Sequence, residues 1–285
     1  MSNFTNKMFD SIKQALQKNT AQSGAKNFLK FEKDKVYTIR LIPNIKEPEK
    51  TFFHYYTYDW SSFSTGQYTT AMSPSTFGQR CPITETKYRI LKNGTEEEKE
   101  KAKLLRRNER WLVNALVVDD PTNPENNGTV KIVRYGKQLH KIISDAIDGE
   151  GAEDFGPKIF DLSENGVNLK VKAEQQGDYI TYVSSKFTMP RKIEGLTEAK
   201  SEDIYNNIYD LTSVVPTKSQ EEFLQLLDDH FFAKSTLLVE KKEVSEGVEH
   251  TEVVVRNEVV EDKTTPEIDP TEDENLQKLL ADLDS

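Results

Sequence analysis

The sequence predicts a mainly β fold with added helices, of α+β character, built around a small β-barrel. Three observations support this prediction. Short runs in which apolar and polar residues alternate recur through the middle of the chain, turn-rich segments separate them, and helical patterns lie between and after them. Strands, a helix and further strands over roughly 200 residues are typical of a barrel to which helices are attached.

The charge pattern divides the chain into three parts. Residues 240–285 hold 15 acidic and 5 basic residues, a net charge of −10, whereas residues 1–239 hold 33 of each. We predict an N-terminal arm over residues 1–25, a core over 26–239 and an acidic tail over 240–285. A neutral body with an acidic tail indicates a basic surface for which the tail competes. A tail that only aids solubility is the alternative.

Both ends of the chain carry apolar residues at helical spacing. In the arm these are Phe4, Met8, Ile12 and Leu16, which predict either a short packing helix or a docking arm for self-association with a neighbouring copy. In the tail they are Leu276, Leu279, Leu280 and Leu283, a stripe that predicts docking of the tail on partner proteins.

The core is predicted to begin with two strands. KVYTIRLIP alternates and ends at Pro43, which predicts the first. The second lies in the segment 52–68, which holds eight aromatic residues. Alternation would place Phe52, His54, Tyr56, Tyr58 and Trp60 on one face and Phe53 and Tyr55 on the other. Because a core covers one face, we expect some of the other aromatic residues to be displayed or covered by a partner.

A helix is predicted over residues 95–110, since Thr95 and Glu98 have capping-box spacing and three arginines follow the acidic start. WLVNALVV and TVKIVRYG predict two strands, and the turn-rich DDPTNPENNG between them predicts a long hairpin loop. An amphipathic helix is expected next, over residues 137–147.

VNLKVK and YITYVSSKF predict a second hairpin. Its first strand would place Asn168, Lys170 and Lys172 on a polar face. Two further helices are predicted over residues 201–211 and 219–232, the latter beginning with a capping box.

Several classes of protein are disfavoured by what the sequence lacks. Cys81 is the only cysteine, which excludes an intrachain disulfide and suits a reducing cytoplasm. It also leaves too few ligands for an ordinary structural zinc site. The sequence has no run of about 18 apolar residues, so we expect no membrane-spanning helix. It has no apolar signal-peptide core near its start and no phosphate-binding P-loop motif.

Acidic residues in the DDPTNPENNG loop are the one set of candidate metal ligands that we consider. Asp119, Asp120 and Glu125 carry the carboxylates that Mg²⁺ prefers. Acids are ordinary in a loop rich in Pro, Asn and Gly, so the loop chemistry alone explains them. A metal-dependent nuclease that uses these acids remains an alternative, as does an acidic adaptor or scaffold that binds no nucleic acid.

Basic and aromatic residues interleave in three segments of the core. Single-stranded nucleic acid is held by a basic groove and by aromatic faces, because every nucleotide has a phosphate and every base a π-face. Each segment alone is also compatible with a solvated face above a core aromatic residue. The predicted DNA-binding residues are Arg106, Arg107, Arg110, Trp111, Arg134, Tyr135, Lys137, Lys170, Lys172, Tyr179 and Tyr182.

Two long segments resemble one protein family. WLVNALVVDDPTNPENNGTVKIVRYGKQLHKI resembles the core block of the gene-32-type single-stranded DNA-binding proteins of T-even bacteriophages, with its N-x-L-V-V strand, D-P-x-x-P-E-N-x-G loop and R-[FY]-G-K turn. NLKVKAEQQGDYITYVSSKF resembles the family's later L-K-V-K and Y-x-x-S-K-F segment. VYTIRLIP is similar to its opening strand and LLADLDS to its acidic tail. The resemblance covers residues 28–232 with gaps, plus the tail.

The resemblance implies a fold and a function. It implies an OB-fold-like core and a non-enzymatic protein that coats single-stranded DNA in the cytoplasm of an infected bacterium. Replication, recombination and repair proteins would be recruited by the tail, and other copies would bind along the strand. Trp111 and Tyr182 stand where the family has DNA-contacting aromatic residues, Arg134 and Lys137 match its basic positions, and Tyr179 aligns more loosely.

The chain departs from the family pattern in two places. The family is associated with a zinc site of one His and three Cys that includes a C-P-x-C pair. Here CPIT has Cys81 but Thr84 at the second position, and Ser73 stands where a further Cys aligns. We therefore predict no zinc and no other cofactor, with packing of segment 52–77 in its place. The arm also lacks the family's cluster of basic and hydroxyl residues, so cooperative binding is expected to be weaker or to use other contacts.

Overall fold

The computed structural model describes residues 26–177 and 179–232. The predictions for the arm at 1–25 and for the tail at 240–285, with its four leucines, lie outside these residues. Nine strands are described: β1 Phe28–Leu29, β2 Lys35–Ile42, β3 Phe52–Ser61, β4 Tyr68–Met72, β5 Arg106–Asp119, β6 Val130–Tyr135, β7 Leu169–Gln176, β8 Tyr179–Thr181 and β9 Lys186–Phe187. Five α-helices accompany them: α1 Pro82–Asn93, α2 Glu96–Lys103, α3 Lys137–Asp148, α4 Glu198–Asn206 and α5 Gln220–His230.

The fold is mixed α+β, and the described chain divides into two compact units. The first consists of residues 26–54 and 110–215, and the second of residues 55–109 and 216–232. In the first unit the strands follow the order β1-β6-β5-β2-β7-β8, and β9 also pairs with β7. All these pairs are antiparallel except β1 with β6. No pair among the described strands joins β8 back to β1, so the OB-fold-like barrel stays a prediction.

The main core of the first unit lies on one face of its sheet. Every second residue of β2, β5 and β7 is buried there, as the alternating patterns predicted. These residues are Tyr37, Ile39, Leu41, Trp111, Val113, Ala115, Val117, Leu169, Val171 and Ala173. Helix α3, confirmed close to its predicted bounds, packs Leu139, Ile143 and Ala146 against the same core.

A buried arginine organises the opposite face of this sheet. Arg40 of β2 is fully buried, and its Nε donates to Asn168 Oδ1 at 2.8 Å. Its two terminal nitrogens donate to the carbonyl oxygens of Asp161, Ser163 and Arg191. Burial lowers the pKa of the guanidinium. The predicted alternation holds, since Val167, Leu169 and Val171 lie in the main core and Asn168 lies on the opposite face. Asn168 directly precedes β7 and is buried there as the partner of Arg40.

The second unit combines the β3–β4 hairpin with α1, α2 and α5. Tyr58 and Trp60 from β3 join Ile83 of α1 and Phe223 of α5 in one apolar cluster. The expectation that a core covers only one face of β3 is wrong, because Tyr55 from the other face is buried as well. Both faces of the strand are partly covered, as in the interior of a sheet.

The helix predicted over 95–110 is wrong beyond residue 103. Its capping box forms between Thr95 and Glu98, and the helix ends at Lys103. The buried side chain of Leu105 anchors the chain at that point. The arginines that follow belong to β5, because RRNER continues the extended run into WLVNALVV. Pairing along a long strand outweighs the weak helix preference of a charged pentapeptide.

Two later helices also test the capping signals. The helix predicted over 201–211 is shifted: Thr197 caps α4 by accepting a hydrogen bond from the Lys200 amide, and the helix ends by Asn206. Helix α5 begins after Ser219 with the predicted capping box to Glu222. Side-chain caps therefore locate the starts of these helices better than apolar periodicity does.

Candidate nucleic-acid interface

The eleven predicted DNA-binding residues lie in both units. Arg106 and Arg107 belong to the second unit and the other nine to the first. Burial separates them into three groups. Arg106, Arg134, Lys170 and Lys172 are exposed; Arg107, Arg110, Lys137 and Tyr179 are half-buried; Trp111, Tyr135 and Tyr182 are buried.

The sheet of the first unit separates aromatic from basic candidates. Trp111 and Tyr135 are paired across β5 and β6 and lie on the side of the main core. Arg134 is paired with Leu112, one residue out of phase, so it lies on the opposite side. Lys170 alternates with the core residues Leu169 and Val171 and is likewise directed away from the core. These basic and aromatic candidates therefore do not share one face of the sheet.

Two lysines stand opposite each other on β7 and β9. The register pairs Lys170 with Lys186, and both residues are exposed. Like charges directly opposite on neighbouring strands are destabilising unless an anion lies between them. Lys172 differs, since its Nζ lies 2.7 Å from Glu174 Oε1 and lowers the pKa of that carboxyl group. Lys186 belongs to the third interleaved segment of the sequence but was not among the predicted DNA-binding residues, although alternation with the apolar Phe187 signals an outward position.

Four parallel rings form an aromatic stack around Trp111. The His140 ring lies 3.9 Å from the indole at an interplanar angle of 8°, and the His54 ring lies 4.8 Å away at 20°. Tyr135 completes the stack at 6.1 Å and 17°. Trp111 is only 7% exposed. A base therefore reaches the indole only if a neighbouring ring moves, and direct stacking on Trp111 stays a prediction.

The stack is embedded in the core of the first unit. Burial raises the pKa of the Tyr135 hydroxyl, which has no hydrogen-bond partner among the described residues. His140 lies on α3, with its Nε2 3.4 Å from Ser144 Oγ. His54 is the exposed member and lies in β3. Sequence alternation grouped His54 with the other aromatic residues of β3 but gave no sign of the stack.

The two remaining aromatic candidates are held by their surroundings. The backbone N–H of Tyr182 donates to Gln138 Oε1 at 2.8 Å, and its ring meets Phe31 edge-on at 5.9 Å. Tyr179 is half-buried in β8 and pairs with Gln176. Tyr179 is thus more exposed than Tyr182.

In the second unit, Arg107 makes a cation–π contact. Its guanidinium carbon lies 4.3 Å from the centre of the Tyr56 ring. In the same unit, the Asp59 carboxylate accepts hydrogen bonds from Thr57, Thr70 and Asn108. The Arg107 guanidinium is therefore held against the Tyr56 ring, whereas Arg106 is exposed.

The acidic loop between β5 and β6 is organised by Asp120. Its Oδ1 accepts from the amides of Thr122 and Asn123 and from the Thr122 hydroxyl, and its Oδ2 accepts from Asn126 Nδ2 at 2.7 Å. Burial would raise the pKa of Asp120, but the hydrogen bonds outweigh it and lower the pKa. Both carboxylate oxygens are thus used inside the loop, and no group of three His, Cys, Asp or Glu suited to a metal occurs in the described ranges.

Replacing Asp120 with Ala is expected to lower the free energy of unfolding by about 2–3 kcal/mol at neutral pH, because four hydrogen bonds to this buried carboxylate are lost. The carboxyl pKa is lower in the folded protein than its ordinary 3.8, so its stabilisation is present above that value and is lost as the pH falls through the folded pKa. Urea unfolding at several pH values measures both effects. Glu125→Ala in the same loop is the control, and an equal loss there would contradict the assignment.

The positions that align with zinc ligands have other partners. The Thr84 hydroxyl lies 2.7 Å from the Tyr58 hydroxyl, and Ser73 Oγ lies 2.8 Å from Ser75 Oγ. Cys81 is buried before α1. One thiol with two hydroxyl groups already hydrogen-bonded is a poor donor set for structural zinc. The absence of zinc stays a prediction, which the metal content of the purified protein tests.

Comparisons with known proteins agree with this picture. A family model described as gp32 DNA binding protein like matches residues 33–231. The single-stranded DNA-binding protein of Enterobacteria phage T4 is 27% identical over 150 residues, which cover 51% of this chain and 48% of that protein. Its counterpart from Enterobacteria phage T2 is 29% identical over 126 residues, which cover 43% and 41%. The chain thus matches about half or less of the length of these relatives.

The family match extends across both units and the loop that Asp120 organises. Within residues 26–177 and 179–232, no helix has the length and apolar character needed to cross a membrane. The family model covers well over half of the chain. The chain therefore belongs to the gp32 DNA binding protein like family.

Proposed function

We propose that this protein binds single-stranded DNA without catalysing a reaction on it. The observation that carries the proposal is the family match over residues 33–231. Exposed cations support it, above all the facing pair Lys170 and Lys186. A phosphate of the DNA backbone placed between the two lysines would relieve their repulsion. A phosphate contact of this kind does not depend on the base sequence.

The proposal assigns roles to the remaining parts of the chain. Arg106, Arg134 and Lys172 contribute further positive charge for the phosphates. The acidic tail occupies the basic surface when DNA is absent and recruits replication, recombination and repair proteins when DNA displaces it. The N-terminal arm contacts the next copy along the strand. The proposed location is the cytoplasm of the infected host, where phage DNA becomes single-stranded.

Titration with labelled oligo-dT at several salt concentrations tests this function. We expect binding in which the logarithm of the affinity falls linearly with the logarithm of salt, by about 0.7 per phosphate contact. Duplex DNA is the matched ligand control and should bind far more weakly. Deleting residues 240–285 should tighten binding at low salt. If neither full-length nor tail-deleted protein binds at low salt, an acidic adaptor becomes the better interpretation.

A further inference from the structure

His54 is an exposed histidine whose ring lies flat on a buried aromatic group. Its imidazole is 4.8 Å from the Trp111 ring centre and only 20° from parallel. The His140 ring is 3.9 Å from the same indole. His54 is exposed, whereas Trp111 is 7% exposed and His140 half-buried. His54 is therefore the most exposed member of the stack.

We propose that His54 is a base-contacting residue, which takes the π-face of a nucleobase on the side of its ring turned away from Trp111. This inference rests on the proposed function. Aromatic faces accept any base, because stacking does not depend on a hydrogen-bonding pattern. An exposed ring already held parallel to its neighbours loses little freedom when a base is added. The buried Trp111 then supports the stacking surface and does not itself contact the base.

The exposure of His54 fits a residue that contacts a ligand better than a residue that fills the core. A ring whose role is to fill the core is normally buried on both sides, as Trp111 and Tyr135 are. Among the basic candidates, Lys137 lies one helical turn before His140 on α3. Lys137 is therefore the basic candidate that shares a helix with a member of the stack.

The test compares three substitutions of His54 in the full chain. His54→Ala removes the ring, His54→Phe keeps a ring without a charge, and His54→Lys keeps a basic group without a ring. We expect His54→Ala and His54→Lys to weaken oligo-dT binding about tenfold, and His54→Phe to remain within about twofold of the parent. Thermal melting of each variant establishes that it is folded.

A second ligand separates stacking from charge. An oligonucleotide of the same length with abasic sites keeps the phosphates and removes the bases, so the parent and His54→Ala should bind it equally. Tighter oligo-dT binding by His54→Ala would identify His54 as a cover over Trp111 and overturn the proposal. Unchanged binding, or full rescue by His54→Lys alone, would also overturn it. Failure of the parent protein to bind oligo-dT would instead refute the proposed function.

Discussion

Replacing Arg40 with Met is expected to lower the free energy of unfolding by about 4 kcal/mol or more. Met keeps most of the apolar stem but removes every donor. The buried Asn168 Oδ1 and the part-buried carbonyl oxygens of Asp161, Ser163 and Arg191 then lose a charged partner. Each buried acceptor left without a donor costs about 1–3 kcal/mol.

Urea unfolding followed by circular dichroism measures this loss. The free energy of unfolding of Arg40→Lys should lie between those of Arg40→Met and the parent, because one ammonium group does not reproduce the planar fork of donors. Arg191→Ala is the matched control: the contact uses the main-chain carbonyl of residue 191, which that substitution retains. A change within about 0.5 kcal/mol is expected there. An unfolding midpoint for Arg40→Met equal to that of the parent would contradict the network.

Replacing Lys186 with Glu is expected to weaken oligo-dT binding while it stabilises the fold. Loss of one phosphate contact costs about fivefold for every tenfold reduction in salt below 1 M, hence about 25-fold near 0.01 M. The double variant Lys170→Glu, Lys186→Glu should lose at least as much, because it removes both cations that face the shared phosphate. In the single variant the introduced carboxylate faces the ammonium group of Lys170, and such a pair of opposite charges stabilises neighbouring strands by about 0.2–1 kcal/mol.

Opposite signs for affinity and stability make this prediction specific. Salt-dependent titration gives the first quantity and urea unfolding the second. Lys200→Glu on α4 is the control, since Lys200 Nζ binds the Gly195 carbonyl and faces no like charge across a strand pair. Equal losses of affinity in Lys186→Glu and Lys200→Glu would indicate a general effect of net charge and contradict a phosphate contact at the lysine pair.

Local patterns predicted much of the secondary structure. Alternation located β2, β5 and β6, and capping boxes located the starts of α2 and α5, because these signals lie within a few residues of each other. The end of α2 was predicted too late in the chain, because it depends on the strand pairing of the residues that follow. Closure of the sheet into a barrel also depends on distant strands, and the pattern of a single strand carries no information about it.

The candidate site was only partly predictable for the same reason. Alternation separates Trp111 from Arg134 by phase, but it does not tell which side of the sheet the helix α3 covers. Asn168 has the spacing of a surface residue and is buried because Arg40, 128 residues earlier, needs its side-chain oxygen. The stack of His54 on Trp111 likewise joins residues from two strands that are far apart in sequence.

The Arg40 network has a consequence for synthesis of the protein on the ribosome. Arg40 emerges early, whereas the carbonyl of Arg191 follows 151 residues later. At about 5–20 residues per second, that interval is roughly 8–30 s. Until then the guanidinium keeps its water, because an unpartnered charge is too costly to bury. This face of the sheet is therefore buried only after most of the core has been translated. Until then it stays a hydrated surface of the nascent chain.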